Sequence, residues 1–322
     1  MTIFADTANP TNPTWVDQFV ASVNVGPSWQ QYKAAWVYKD GAWSQFYGQA
    51  VSLGPTTGYL MFGGAGADQK WCTKWDGANW SNQTDGPTPA RSQLAGTAFG
   101  TDSLSMCGYS ILTNLDSWSG SAWTSLTAFT GSGKYGPFSG QITSKAYLYY
   151  GTNGSVGYKV CDSWSGSAWA SETAPPSTGL QYDGAMGSFG SQVYRIAGNS
   201  SNLNESFNAA AWTTNTALPG TARIYNTGGA TSAAIYTISG SATPQTVQSW
   251  SGSAWASETS MPSAWASNWG CSVLTANNTL CAGYGYGVSA NKNYTYTASA
   301  WNLANAGDAR LSSYNRCACS SV

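Results

Sequence analysis

An all-β chain wound into a β-propeller is predicted by three features of this sequence. An aromatic-glycine motif repeats along its whole length. An apolar strand ending in glycine precedes each copy. The composition is rich in Trp, Gly, Ser, Thr and Tyr and poor in charge. The motif is clearest at Asp116-Ser117-Trp118-Ser119-Gly120-Ser121-Ala122-Trp123. It recurs letter for letter at Asp162 to Trp169 and with one change at Gln248 to Trp255. Looser copies end at Trp43, Trp80, Trp212 and Trp301, so the closing tryptophans are 37 to 46 residues apart. A period in the forties with a glycine turn and an aromatic in each unit marks a propeller.

Each copy has a local physical reading. An aromatic, a Gly-centred turn and a returning Trp make a tight hairpin, and Gly supplies the positive φ that such a turn needs. The two flanking aromatics then face each other as a cross-strand pair. The motif therefore supplies the outer two strands of a blade, and its tryptophans are expected to pack blade against blade.

A second landmark lies upstream. Tyr59-Leu60-Met61-Phe62-Gly63-Gly64 is an apolar strand closed by glycine, with relatives ending at Gly108, Gly151, Gly198, Gly240 and Gly283. Phe19 to Gly26, ahead of Trp43, fits the same ruler. A third landmark follows several tryptophans: Arg91, Arg223 and Arg310 each follow an alanine, and Lys134 stands at the same step. Behind them come small-residue segments such as Leu94-Ala95-Gly96-Thr97-Ala98-Phe99-Gly100, suited to the crowded centre of a propeller.

The two ends look complementary. Residues 309–322 offer an inner strand without a blade, and residues 17–46 offer a blade without an inner strand. Joining them removes two exposed sheet edges. The expectation is therefore one propeller over 17–322 with seven four-stranded blades, the seventh shared between about 17–46 and 309–322. The alternative is six blades from about residue 47 with an N-terminal β-hairpin module. Residues 1–16, with Asn9-Pro10-Thr11-Asn12-Pro13, read as an extended arm expected to dock on another subunit.

Composition narrows function. The 322 residues are 42% hydrophobic and 8% charged, so there is ample apolar surface to bury. Net charge is −1 with no basic block, which argues against nucleic acid as a partner. No apolar run reaches membrane-spanning length, and the first residues lack the basic flank and apolar core of a secretory signal. The seven cysteines show no disulfide or zinc spacing; Cys317 and Cys319 are too close for a metal knuckle. They read as thiols made in a reducing cytoplasm.

The strand ending in glycine, the closing Trp and the Ala-Arg before an inner strand together resemble kelch-type propellers, over about residues 17–322. Units such as Trp75 to Gly100 and Trp118 to Gly151 are similar to repeats of the pattern Trp-x-Gly-x-x-Trp … Ala-Arg … Gly-Gly in virion proteins of marine tailed bacteriophages. Two departures stand out: double Gly survives at the strand end only at Gly63-Gly64, and the Glu that often opens the third kelch strand is clear only at Glu205. The resemblance implies a virion structural protein, assembled in the host cytoplasm and carried on the tail or its appendages. It would contact other virion proteins through residues 1–16 and serve attachment or recognition of host-surface glycans. A capsid decoration protein is the alternative within that class, and a free carbohydrate-binding lectin is the alternative outside it.

Chemistry is sparse. The chain has no histidine, which removes imidazole bases, His-containing triads and histidine metal sites. No catalytic residue, metal or cofactor is expected. A carboxylate-only glycosidase is the remaining enzymatic reading, with Asp183, Glu205 or Asp308 as candidate acids. Glu172 and Glu258 both stand three residues after equivalent tryptophans and read as copies of one loop feature. The arginines read as repeated structural contacts between blades. Trp265, Trp269, Tyr284 and Tyr286 exceed what the repeat requires, beside Asn277, Asn278, Asn291 and Asn293. Aromatic faces stack on sugars while amides bond their hydroxyls, so these four are the expected ligand-binding residues.

Overall fold

The computed structural model describes residues 20–24, 29–39, 42–51, 58–64, 68–76, 79–110, 112–177, 184–199, 201–223, 226–238, 245–262, 272–276, 279–283, 293–297, 300–304 and 317–320. The chain divides into two units, Met1–Leu53 and Gly54–Val322.

The first unit contains a three-stranded antiparallel sheet of β1 (Val20–Asn24), β2 (Trp29–Lys39) and β3 (Ala42–Val51), in that order. The long pair runs from Lys39 opposite Ala42 to Gln31 opposite Val51, with a register shift between Ala35 and Trp36.

The second unit is a β-propeller. Its strands follow in chain order. β4 (Gly58–Gly64), β5 (Asp68–Trp75) and β6 (Trp80–Asn82) come first. β7 (Ala95–Phe99), β8 (Asp102–Met106), β9 (Leu115–Trp118) and β10 (Trp123–Ser125) make the next sheet. β11 (Phe138–Ile142), β12 (Lys145–Tyr149), β13 (Cys161–Trp164) and β14 (Trp169–Ser171) make another. They are followed by β15 (Ala185–Phe189), β16 (Gln192–Gly198), β17 (Ser201–Phe207) and β18 (Trp212–Thr214). Then come β19 (Thr227–Ala230), β20 (Ile235–Ile238), β21 (Val247–Trp250) and β22 (Trp255–Ser257). β23 (Ser272–Ala276), β24 (Thr279–Gly283), β25 (Asn293–Thr297) and β26 (Ala300–Ala304) form the last complete meander. β27 (Cys317–Ser320) returns to the start and pairs with β4, so the first sheet has the order β27-β4-β5-β6.

The expected seven-blade closure is not what forms. β27 pairs antiparallel with β4, with Cys317 opposite Met61 and Cys319 opposite Tyr59, and not with a strand of the sheet of residues 20–51. β27 covers the edge of β4 opposite β5. Residues 20–51 also differ from the expected hairpin module: they form a three-stranded meander whose β2 and β3 have 11 and 10 residues. The outer strand β6 has 3. The arm of residues 1–16 lies outside the described residues.

The inner strands β7, β11, β15, β19, β23 and β27 touch in that order, and β27 touches β7, so they make a closed ring. Small residues permit the approach. A Cβ on Gly140 of β11 would lie 2.5 Å from Val193 and 2.9 Å from Ser188, and one on Gly228 of β19 would lie 2.5 Å from the Ala185 Cβ of β15. Polar atoms also bridge inner strands: the Gln141 N–H of β11 donates to Ser188 Oγ of β15 at 2.7 Å, and Ser139 Oγ of β11 donates to the Gly96 carbonyl of β7 at 2.8 Å.

The core is a set of layers, each pressed between two neighbouring sheets. Met61, Phe62 and Cys72 pack on Leu94 and Trp118; Leu104, Met106 and Leu115 pack on Leu148 and Trp164. Tyr147, Tyr149 and Cys161 pack on Val193 and Phe207, and Ile196 packs on Ile235 and Trp250. Burying one such side chain contributes about 1.5–3 kcal/mol, so each layer ties its two sheets strongly.

The repeated motif folds as its residues dictate. Trp118 pairs with Trp123, Trp164 with Trp169, Phe207 with Trp212 and Trp250 with Trp255 across their hairpins. Their ring centroids are 5.2, 5.6, 5.1 and 5.3 Å apart. Gly120, Gly166 and Gly252 hold φ of +90°, +97° and +94° at the first central turn position, as a type II′ turn requires. The serine before each glycine accepts from the main chain of the alanine beyond it, at 3.1 to 3.3 Å.

Candidate functional site

Antiparallel order sends two sets of loops to one end of the propeller. The loop from second to third strand and the loop between successive sheets both emerge there. The glycine and cation landmarks meet at this end.

Beneath the loops lies a repeated buried latch. Arg91, fully buried, donates through Nη2 to Asp116 Oδ2 and at 3.2 Å to Ser105 Oγ, and through Nη1 at 3.3 Å to the Cys107 carbonyl. Its guanidinium lies 4.1 Å from the Phe62 ring centroid in the preceding sheet, and its main-chain N–H donates to the Gln69 carbonyl there. Arg223 occupies the same step and donates to Gln248, the one changed letter of the third motif copy. Asp116 and Gln248 both open their motifs, so the first letter serves as the acceptor for the cation of that sheet.

Lys134 is the third member. Its Nζ stands 3.8 Å from Asp162 Oδ2, an ion pair without a hydrogen bond, and 4.5 Å from the Phe129 ring centroid. Burial lowers its pKa below the usual lysine value, and burial raises that of Asp162 against the pull of the lysine. Burial also lowers Arg223 to about 10 and lifts the Cys107 thiol to about 11.

The glycine landmark makes room for these cations. Phe62, Cys107, Tyr150 and Ala197 hold positive φ between 56° and 61°, each immediately before a glycine. A Cβ on Gly151 (φ +100°) would lie 2.9 Å from Lys134 Cδ, and one on Gly108 would lie 3.3 Å from Arg91 Cβ. Glycine there lets the loop backbone lie directly on the cation's stem.

The Glu205 sheet solves the same problem from another strand. Arg195 on β16, fully buried, donates to Glu205 Oε2 at 3.1 Å; the Tyr150 hydroxyl donates to that oxygen at 2.6 Å, and Ser177 donates to Oε1. Burial and the neighbouring Glu205 raise the Tyr150 phenol above its ordinary value. Glu205, a candidate acid from sequence, is wholly enclosed and committed to three donors. Asp183 and Asp308 lie outside the described residues, as does Arg310. Glu172 and Glu258 are equivalent as expected: each accepts from the first serine of its motif, Ser163 at 2.6 Å and Ser249 at 2.5 Å. Hydrogen bonds from Lys145 and Ser163 hold the Glu172 carboxyl below its ordinary range against the opposing effect of burial.

The expected ligand-binding aromatics Trp265, Trp269, Tyr284 and Tyr286 lie outside the described residues. At the loop end that carries the latch, an aromatic group is present among the described residues. Tyr109 is 50% exposed, and its ring meets Tyr135 edge-on at 5.5 Å. Val156, 55% exposed, stands on the corresponding loop of the next sheet. Sequence reasoning passed over this group, although Tyr109 follows Gly108 as Tyr284 follows Gly283.

No family model and no curated protein matches the chain. Among solved structures it is similar to one titled "Structure of YjhT", at a TM-score of 0.62 and 13% identity, over 78% of this chain and 95% of that one. Identity at that level speaks to fold alone, and with the sheet order it establishes that the chain contains an all-β propeller.

Proposed function

We propose that this protein is a non-catalytic structural component of a bacteriophage virion, a stiff propeller on the tail or its appendages that presents one loop face for attachment or host-surface recognition. The observation that carries the reading is the latch beneath that face. Arg91, Lys134 and Arg223 each tie a loop to the sheet below, and Arg195 ties β16 to Glu205 within its sheet, each at the cost of burying a charge. Such construction suits a rigid platform that holds surface loops in place. The repeat pattern Trp-x-Gly-x-x-Trp … Ala-Arg … Gly-Gly supports the kelch-like and phage parts of the reading. The six four-stranded sheets support a six-bladed ring, with residues 1–53 as a separate attachment module. The enclosure of Glu205 supports a scaffold over a glycosidase.

Mass spectrometry and immunogold labelling of purified particles test this proposal. The expected result is many copies per particle at the tail or its appendages. Label on the capsid shell would favour a decoration protein, and absence from particles would overturn the virion reading. A free lectin is the second reading, favoured by the half-exposed Tyr109 against Tyr135.

A further inference from the structure

We propose that Tyr109 and Tyr135 form a stacking subsite for an uncharged pyranose sugar. Among the described residues, Tyr109 and Val156 are the exposed large hydrophobic side chains, and they stand on equivalent loops of neighbouring sheets. Tyr135, on the segment joining those sheets, connects them. Its ring meets Tyr109, and a Cβ on Gly154 would lie 2.7 Å from its hydroxyl oxygen, so the Val156 loop presses against it.

The platform is fixed before any ligand arrives. Tyr109 N–H donates to the Ser92 carbonyl at 2.8 Å. Tyr135 and Thr152 exchange main-chain bonds of 3.0 and 3.1 Å. Asn153 Oδ1 accepts from the N–H groups of Ser155 and Val156 at 3.0 and 2.7 Å, and Thr152 Oγ1 accepts from Gly154 at 2.9 Å. Little ordering cost remains to be met on binding.

The chemistry of the rim selects the occupant. Residues 107–113 and 151–158 contain no charged side chain, and Lys134 beside Tyr135 is turned inward and buried. Within those two segments an anionic or cationic ligand would find no counter-charge, the exposed Lys159 standing just beyond the second. The C–H face of a neutral sugar matches the exposed tyrosine ring. Its hydroxyls match the amide and hydroxyl groups of Asn153, Ser155 and Ser110.

The test is calorimetry and saturation-transfer NMR of the full chain with a panel of neutral malto-, cello-, chito- and galacto-oligosaccharides. At least one panel member is expected to bind, with Tyr109→Ala weakening it about tenfold and Tyr109→Phe, which keeps the ring, changing it less than about twofold. Val156→Asp, at an exposed position, is expected to weaken binding as well, which covers the case of a misfolded Tyr109→Ala. Absence of binding across the panel would overturn the proposal, as would binding indifferent to Tyr109→Ala and Val156→Asp. Sedimentation showing that Tyr109 instead mediates self-association would also overturn it. The outcome is independent of whether the protein is found on particles.

Discussion

The Trp123 indole N–H donates to the carbonyl of Thr84, 2.9 Å away in the loop leaving the preceding sheet. Thr84 stands four residues after Trp80, and the relation recurs. Trp169 donates to Thr127, Trp212 to Thr173, Trp255 to Thr216 and Trp301 to Thr259, at 2.8 to 3.1 Å. Every one of these closing tryptophans therefore staples its sheet to the loop leaving the previous one. Trp169→Phe keeps a ring in the hairpin but removes the donor, and should cost about 1 kcal/mol beyond the lost ring area. Trp80→Phe should cost less, because the buried Trp80 indole N–H has no acceptor among the described residues. Urea unfolding of the two variants checks the ranking.

Asp116 tests the latch. Asp116→Ala leaves the buried Arg91 guanidinium without its carboxylate and should cost about 3–5 kcal/mol. Asp116→Gln should cost clearly less, because Gln248 already accepts from Arg223 at the equivalent position. Equal losses in denaturant melts would show that the carboxylate charge, rather than an acceptor at that step, is what matters.

Acid sensitivity has a defined contributor. Glu172 titrates below its ordinary value in the folded protein because of Lys145, 2.8 Å away, and Ser163. A depressed carboxyl contributes stability that is present above its unfolded value, near 4.5, and lost as pH falls through the folded value. Glu172→Gln should therefore flatten the acid limb of the stability–pH curve below about pH 4.5 and leave the region above pH 7 parallel to wild type. Thermal melts across pH 3–8 measure it.

Ala209 occupies the turn position that other copies give to glycine, and it holds φ +72°. A side chain there costs roughly 1 kcal/mol. Ala209→Gly should raise stability by about 0.5–1 kcal/mol, whereas Gly120→Ala and Gly166→Ala should lower it by a similar amount. A gain at Ala209 with a loss at the glycines would tie the motif's glycine to backbone conformation.

What could be read from the sequence was local. The Trp118–Trp123 pairing, the Gly120 turn and the repeated step of Arg91 and Arg223 each follow from a few neighbouring residues. Ring closure was not legible, since every unit ends in the same hairpin and the spacing before Trp43 matches the others. The length of β2 and β3 and the pairing of β27 with β4 set residues 20–51 apart from a blade. The cation for Glu205 was hidden for another reason. It comes from Arg195 within β16, not from the loop that supplies Arg91, so a burial requirement was met from an unrepeated position. The signal for Tyr109 was present in the step after Gly108, but aromatic excess in the last repeats outweighed it.

The central claim is that residues 317–320 complete the sheet of β4. Native-state hydrogen exchange on the full chain and on a variant lacking 317–322 tests it most directly. The account predicts that the deletion strips protection from amides in 58–64 and leaves those of 20–24 unchanged. Loss of protection in 20–24 with 58–64 unaffected would contradict it.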